Sequence, residues 1–385
     1  MDLGQIGLCL FVAALGSAVA TPFVSWLARS LGVVDQPNER KVSQRDNMPL
    51  LGGLAVATGT ALGLGSALAM SGTAAVGEVR FEGFLIGALL LLVLGIVDDR
   101  SGLGARPKLV VQILAALVAV NFGFRIEEFR EPLSGVEYVL PVWLQWGITT
   151  LWIVAVTNAM NLVDGLDGEA AGIGCIIAIT LSVICWQIDQ HVGVVLGVAL
   201  VGALIGFLPF NFPPAKIFLG DTGALFIGYA LSLLAIQGYI GGHRKAAILT
   251  FAVPILALAV PLLDTGSSIV RRMRSGRPIL DADNLHLHHR LLASEGSQRG
   301  AVLSLYFLTA CFCIIALSFS RLRGYVAIAF FGAVVLLTVR LLWNMGALHG
   351  ELRSGDVAET ESESETGGSV QGPVDDDVAS EGGRG

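Results

Sequence analysis

The sequence N-A-M-N-L-V-D-G-L-D-G at residues 158–168 separates two long apolar runs, 140–157 and 169–187. Four polar side chains recur every three residues within it: Asn158, Asn161, Asp164 and Asp167. Removing carboxylates and carboxamides from water at the end of an apolar helix is energetically costly, so we expect them to face water, a cation or a polar ligand. A solvated, capped loop between membrane helices is one reading of the stretch. A ligand site is the other, and the glycine after each aspartate favours it because glycine lets backbone approach a ligand closely.

The composition is that of an integral membrane protein. The chain has 385 residues, of which 54% are hydrophobic and 14% charged, and its mean hydropathy is +0.72. Soluble domains carry roughly 25% charged residues. The net charge of −7 gives no indication of a nucleic-acid partner. The five cysteines all lie in apolar runs, and we interpret them as small buried hydrophobic residues rather than metal ligands.

Hydropathy predicts an all-α polytopic protein with about eleven transmembrane helices. The predicted spans are 3–27, 52–70, 82–97, 107–124, 140–157, 169–187, 191–208, 222–238, 246–264, 301–319 and 324–345. No positive residue precedes the first span, so we interpret it as a retained helix and not as a cleaved signal.

The distribution of basic residues predicts the orientation. About 14 of the 24 Lys and Arg lie in the loops on the side of 158–168, and about 7 lie in the loops on the other side. We therefore expect the first side to face the cytoplasm, with the N-terminus outside and the C-terminus inside. Residues 1–348 would form the membrane domain, and the acidic segment 349–385 would be a disordered cytoplasmic tail.

Five loops on the predicted cytoplasmic side carry unusual polar groups. They contain DQPNERK (35–41) followed by PLLGG (49–53), the VDD pair ending at Asp99, the 158–168 stretch, NFPPAKIFLGDTG (211–223), and a basic segment ending in HLHHR (286–290). Adjacent carboxylates repel one another unless a cation lies close by. Each motif alone also has a structural explanation, such as helix capping by Asp221 or a topogenic charge pair at Asp98 and Asp99. Together, carboxylates with Lys, Arg and His on one face favour Mg²⁺ or Mn²⁺ and a phosphate-bearing substrate.

These motifs, in this order, resemble the polyprenyl-phosphate N-acetylhexosamine-1-phosphate transferases, whose superfamily contains the phospho-MurNAc-pentapeptide translocase. The resemblance covers most of residues 35–290. The H-x-H-H-R form and the number of spans resemble the branch that transfers GlcNAc-1-phosphate to undecaprenyl phosphate. That branch primes cell-envelope polysaccharides such as O-antigen, teichoic acid, arabinogalactan or exopolysaccharide.

The resemblance implies roles for individual residues. Asp221 would be the principal Mg²⁺ ligand, Asp98 and Asp99 would lie beside the metal or the lipid phosphate, and Lys108 would bind phosphate. Further residues would bind substrate: Lys41, Arg45, Asn158, Asn161, Asp164, Asp167, Asn211, Phe218, His286, His288, His289 and Arg290. Within this set Phe218 would stack on uracil, and the histidine-arginine motif would hold the diphosphate and help recognise the sugar.

Two positions depart from the family pattern. The first loop usually reads R-K-x-H, whereas here it reads Arg40-Lys41-Val42-Ser43, so a histidine is missing there. Glu169 stands where the family commonly has leucine, and we expect it to be tolerated at a helix N-terminus.

The reaction implied is attack by undecaprenyl phosphate on the β-phosphorus of UDP-GlcNAc, with release of UMP. A two-step exchange in which Asp98 or Asp99 is the nucleophile is the alternative mechanism. The same reaction with another sugar, such as GalNAc or MurNAc-pentapeptide, stays open. A secondary transporter is the competing class, but most charges lie in loops at one face and not at the bilayer midplane. Dimers would be plausible by resemblance.

Overall fold

The computed structural model describes residues 2–35, 47–71, 78–130, 137–240, 252–274 and 286–319, together with short pieces between 326 and 340. Nearly all of these residues are helical. Seven of the helices are long and apolar enough to cross a membrane, so the chain is a multi-pass membrane protein. The eleven spans and their orientation remain predictions, as do the boundary and the character of the acidic tail, which lies outside the described residues.

Twelve helices are present in the described part of the chain. They are α1 Leu3–Ser30, α2 Gly52–Ser71, α3 Glu78–Ser101, α4 Ala105–Asn121, α5 Val142–Val163, α6 Glu169–Gln187, α7 His191–Asn211, α8 Gly220–Ile240, α9 Ala252–Ala257, α10 Ala259–Arg274, α11 Leu287–Glu295 and α12 Gln298–Phe319. Two short antiparallel hairpins accompany them: β1 (Val34–Asp35) with β2 (Met48–Pro49), and β3 (Glu128–Arg130) with β4 (Glu137–Val139).

The predicted span 246–264 differs from the structure. Its described part is two consecutive helices, α9 and α10, and the second continues ten residues beyond the predicted end. Proline at 261 has no N–H to donate to the carbonyl of Ala257, which weakens the helix at the junction. The Cys313 thiol donates to that carbonyl instead, at 3.8 Å.

Helix α8 is the centre of the bundle. It packs against α2, α3, α5, α6 and α7, and almost all of its described side chains are buried. Two glycines let neighbouring helices approach its N-terminal turn. A methyl group at Gly53 of α2 would overlap the backbone of Gly223, and one at Gly95 of α3 would overlap the backbone of Thr222. This close packing fixes the first turn of α8, which carries Asp221.

Several predicted loop residues lie on helices in the structure. Helix α5 runs to Val163, so Asn158 and Asn161 are helical, and α3 runs to Ser101, so Asp98 and Asp99 are in its last turn. Lys108 lies in the first turn of α4. Each helix therefore presents its polar side chains from its own end, at fixed orientations.

Candidate active site

The N-terminus of α8 is capped by a carboxylate from α3. Asp99 accepts hydrogen bonds from the backbone N–H groups of Asp221 (2.8 Å) and Thr222 (3.1 Å) and from the Thr222 hydroxyl (2.6 Å). Gly220 precedes them with φ of +73°, and a side chain there would collide with the Asp99 carboxylate. An anion at a helix N-terminus is stabilised by the unpaired N–H groups and the helix dipole. Asp99 thus holds the turn that carries Asp221.

Asp221 is held by two donors from two other helices. Its Oδ2 atom accepts from Nζ of Lys108 at 2.7 Å, and its Oδ1 atom accepts from the side-chain amide of Asn161, also at 2.7 Å. Lys108 forms a second ion pair, with Asp98. The other oxygen of Asp98 accepts from the N–H of Leu103 at 2.6 Å, which closes the turn between α3 and α4. Helices α3, α4, α5 and α8 therefore converge on one carboxylate–ammonium network.

Asp164 lies beside this network at the end of α5, half-buried. Its removal from bulk water and, after that, repulsion from the carboxylates of Asp221, Asp99 and Asp167 raise its pKa well above the usual range. A group in this position is stabilised in its ionised form by any cation that enters the cluster.

The 158–168 stretch and the 211–223 motif are joined by a hydrogen bond from the N–H of Ala215 to Asp167, at 2.9 Å. Within the second motif the Asn211 amide donates to the carbonyl of Ile217 at 3.0 Å. Phe218 exchanges backbone hydrogen bonds with the PLLGG motif, donating to Pro49 (2.9 Å) and accepting from Gly52 (3.1 Å). Three motifs that are distant in sequence therefore form one wall, and the half-buried Phe218 ring is on it.

The H-x-H-H motif lies at the start of α11, where Asp264 of α10 fixes it. The two oxygens of Asp264 meet Nδ1 of His286 (2.9 Å) and the N–H of Leu287 (2.8 Å). The ring of His286 stacks on that of His288, with centroids 5.7 Å apart and planes 7° from parallel. Nδ1 of His288 lies 3.8 Å from the carboxylate of Glu169.

A cavity of about 660 Å³ brings these groups together. Predicted site residues line it: Asp98, Asp99, Lys108, Asp164, Asp167, Asn211, Phe218, Asp221 and His288. Its volume is in the range of pockets that hold small-molecule ligands. Nine of the residues singled out in the sequence thus face one space, although their individual roles remain predictions.

The other predicted site residues lie elsewhere. Asn161 contacts the cavity network through Asp221, whereas Asn158, one turn deeper in the bundle, pairs with Gln112 of α4 (2.5 and 3.3 Å). His286 and Arg290 are not among the lining residues. Lys41 and Arg45, together with the side chain of His289, fall outside the described residues.

Sequence reasoning missed four residues. Gln112 lies four residues after Lys108, a helical spacing that could have identified it as a neighbour of the same face. Asp264 was assigned to the end of an apolar span, where a lone carboxylate should itself have suggested a role. Asp35 belongs to the first motif but was given no function, and it lines the cavity. Gln298 also lines the cavity, at the start of α12, and its sequence context carries no signal.

The chemistry of the cavity suits a divalent cation bound together with phosphate. In the described part of the chain, six aspartates and one lysine line it. Carboxylate oxygens in such excess suit a hard cation. No group of three side chains among the described residues would enclose a metal by itself. Mg²⁺ characteristically binds through one or two carboxylates and completes its coordination with water and substrate phosphates, so an open arrangement fits this ion.

Comparisons with known proteins agree with the motifs. Residues 81–239 match the model of the family described as glycosyl transferase family 4. Over 81% of its length the chain is 37% identical to a probable undecaprenyl-phosphate N-acetylglucosaminyl 1-phosphate transferase of Bacillus subtilis, of which it covers 84%. It is 37% identical to a decaprenyl-phosphate N-acetylglucosaminephosphotransferase of Mycolicibacterium smegmatis, covering 80% of each chain. A phospho-N-acetylmuramoyl-pentapeptide-transferase of Desulforudis audaxviator is 34% identical, over 73% of this chain and 86% of its own.

Proposed function

The chain belongs to glycosyl transferase family 4 as a polyprenyl-phosphate N-acetylhexosamine-1-phosphate transferase, and from this we propose that it transfers GlcNAc-1-phosphate from UDP-GlcNAc to undecaprenyl phosphate. An oxygen of the lipid phosphate forms a bond to the β-phosphorus. The bond from that phosphorus to the bridging oxygen breaks, and UMP leaves with this oxygen. The product is undecaprenyl-diphosphate-GlcNAc, the first intermediate of a cell-envelope polysaccharide.

GlcNAc is the proposed sugar because two relatives that are each 37% identical over at least 80% of this chain carry it in their names. The names of these relatives differ in the lipid, which is undecaprenyl in one and decaprenyl in the other. A relative whose name specifies MurNAc-pentapeptide is also similar over most of the chain, so the test below includes UDP-MurNAc-pentapeptide as a donor.

The network of Asp98, Lys108, Asn161 and Asp221 is the observation that carries the proposal. Both reactants are anions, so the site must reduce their repulsion before chemistry can occur. Lys108 lies in the cavity between two carboxylates that hold its ammonium group in place. It is therefore positioned to donate to a phosphate oxygen without the entropic cost of ordering a free lysine side chain.

Asp221 is the residue we propose as the principal ligand of Mg²⁺, with Asp98 and Asp164 beside it. When bound, Mg²⁺ would neutralise charge on the diphosphate and stabilise the UMP leaving group. Asp99 would act differently, because its oxygens accept from the backbone and the hydroxyl of the first turn of α8, whereas those of Asp221 accept from the side chains of Lys108 and Asn161. It would keep Asp221 directed at the cavity.

Direct attack by the lipid phosphate is the mechanism we propose. A phosphate monoester is largely dianionic at pH 7, since its second pKa is about 6, so it needs little help from a general base. Asp98 and Asp99 are the candidates for a covalent intermediate, but their oxygens are engaged with Lys108, Leu103 and the α8 turn. A nucleophile held in this way would have to break these contacts first.

Substrate binding follows from the remaining lining residues. Phe218 would stack on the uracil ring, and Asp164, Asp167 and Asn211, which line the same cavity, would bind the polar edges of the nucleoside. His288, with His286, His289 and Arg290, would bind the diphosphate and the sugar. We place this end of the bundle at the cytoplasmic face of the inner membrane, where the lipid phosphate and the nucleotide sugar meet.

The test is a transfer assay with purified protein in detergent, undecaprenyl phosphate, Mg²⁺ and radiolabelled UDP-sugars. We expect UMP release and label in lipid with UDP-GlcNAc, and neither with UDP-GalNAc or UDP-MurNAc-pentapeptide. EDTA and the Asp221→Ala variant should abolish both signals. A well-folded preparation that releases no UMP from any of the three sugars would overturn the proposal.

A further inference from the structure

We propose that Glu169 is a positioning residue that orients His288 toward the substrate diphosphate. The inference rests on the proposed function, since it concerns how that site is assembled. It goes beyond the expectation from sequence that this carboxylate is merely tolerated at a helix N-terminus.

Glu169 is buried at the junction between the 158–168 stretch and the H-x-H-H motif, with 2% of its surface exposed. Its Oε2 atom accepts from the N–H of Leu166 at 3.0 Å, while its own N–H donates to the carbonyl of Leu166, also at 3.0 Å. These two bonds close the turn that carries Asp167. Turn closure needs only one of the two carboxylate oxygens.

The other oxygen of Glu169 faces a histidine from a different element. Its Oε1 atom lies 3.8 Å from Nδ1 of His288, on α11. The opposite edge of this ring lies against Gly165, where a methyl group would overlap its Nε2 and Cε1 atoms. His288 therefore lines the cavity, with the Glu169 carboxylate on its Nδ1 side.

The neighbouring histidine also faces a carboxylate, at a shorter distance. Nδ1 of His286 lies 2.9 Å from the Asp264 carboxylate, which is 4% exposed, and the two imidazole rings are stacked and almost parallel. Each ring thus has a buried carboxylate on its Nδ1 side. A carboxylate in that position favours a proton on Nδ1 and restrains the rotation of the imidazole.

The burial of Glu169 supports the same conclusion. Removing an acidic side chain from water is costly unless partners offset the cost. The backbone N–H groups of Leu166 and Gly165 offset part of this cost, and Nδ1 of His288 is a further polar group beside the carboxylate.

The experiment compares Glu169→Gln and Glu169→Leu with the parent protein. The amide of glutamine can still accept from Leu166, so Glu169→Gln removes the charge facing His288 and preserves the turn. We expect it to raise the KM for UDP-GlcNAc about 10-fold, with a smaller change in kcat and no change in the KM for undecaprenyl phosphate. Glu295→Gln is the matched control, because Glu295 is an exposed carboxylate on α11 that hydrogen-bonds Ser304 outside the cavity, and it should behave as the parent protein does.

A double-mutant cycle separates positioning from folding. If Glu169 acts through His288, the effect of Glu169→Gln on the KM for UDP-GlcNAc should fall below about 2-fold in a His288→Ala background. An effect that persists undiminished in that background would overturn the proposal, as would parent-like kinetics for Glu169→Gln. Binding of uridine diphosphate, measured as a shift in melting temperature, gives a second readout for variants with low turnover. If the parent protein turns over no UDP-sugar, the proposed function itself is contradicted. This outcome differs from the two that would overturn only the role of Glu169.

Discussion

The two ends of α8 each pair with a cation from another helix, yet they differ in kind. At its N-terminal end Asp221 meets Lys108 of α4 at 2.7 Å, and at its C-terminal end the Gln237 amide oxygen accepts from Arg80 of α3 at 3.1 Å. Asp221 opens onto the 660 Å³ cavity, whereas Gln237 is completely buried. The comparison teaches that a polar pair inside an apolar bundle is not by itself a sign of function.

Charge balance distinguishes the two ends. Lys108 shares its charge between Asp98 and Asp221, and further carboxylates line the same cavity, so the aspartates there exceed the lysine. At the other end a single guanidinium meets a neutral amide, and the polar groups nearby close loops. Arg125 donates to the carbonyl of Val120, for example. The excess of carboxylates at the first end requires an external cation, whereas the guanidinium at the second end does not.

The largest effect is expected at Asp221. Asp221→Asn keeps the shape of the side chain and removes the charge, so we expect transfer activity to fall by at least about 10³-fold while the protein stays folded. Label entering lipid and the melting temperature in detergent are the two measurements. If the variant retained more than a tenth of the parent activity, Asp221 would not be the principal Mg²⁺ ligand.

The two cations give the next test, because only one of them should be needed for activity. Lys108→Met should lower activity about 100-fold because it removes a phosphate donor, and it should also destabilise the fold because it leaves Asp98 and Asp221 without their counterion. Arg80→Met should leave activity close to that of the parent protein and destabilise the fold by about 1 kcal/mol. Activity and melting temperature are measured for both variants. Loss of activity in Arg80→Met without unfolding would show that the far end takes part in function.

Sequence alone predicts which polar side chains gather at one end of the bundle better than it predicts how they contact one another. Asp98, Asp99, Lys108 and Asp221 all belong to motifs that follow or precede apolar runs, and all four line the cavity. Their order along the chain does not show that Asp99 caps α8 and that Lys108 bridges two carboxylates. The Lys108–Asp221 and Asp99–Asp221 contacts join residues more than a hundred positions apart, and close packing at Gly53 and Gly95 brings their helices together.

The helix boundaries show the limit of hydropathy. Hydropathy predicts a loop at Asn158 and Asn161 because amides are rare in apolar spans, but α5 includes both since each amide has a side-chain partner on another helix. Asp264 is the opposite case. Hydropathy places it at the end of an apolar span, and the sequence does not reveal its contact with the start of α11.

The two asparagines of α5 sharpen the comparison within a single helix. Asn161 donates to Asp221, so Asn161→Ala should lower activity about 10-fold with a small change in stability. Asn158 pairs with Gln112 below the cavity, so Asn158→Ala should cost about 1 kcal/mol of stability and change the kinetic constants little. Kinetics and thermal unfolding of the two variants check the contrast. A larger kinetic effect for Asn158→Ala than for Asn161→Ala would mean that substrate reaches one turn deeper than the cavity suggests.

The smallest effect is expected when both members of the far pair are replaced. Arg80→Met alone leaves the buried Gln237 amide without its donor, which is the source of its expected cost. Replacing both partners by apolar residues of similar size can be nearly neutral, so Arg80→Met with Gln237→Leu should recover stability to within about 0.5 kcal/mol of the parent protein. The corresponding double change at the other end, Lys108→Met with Asp221→Leu, should recover no activity at all. Melting temperature and transfer rate measured on the two double variants compare the ends directly, because a structural pair can be replaced as a unit and a catalytic pair cannot.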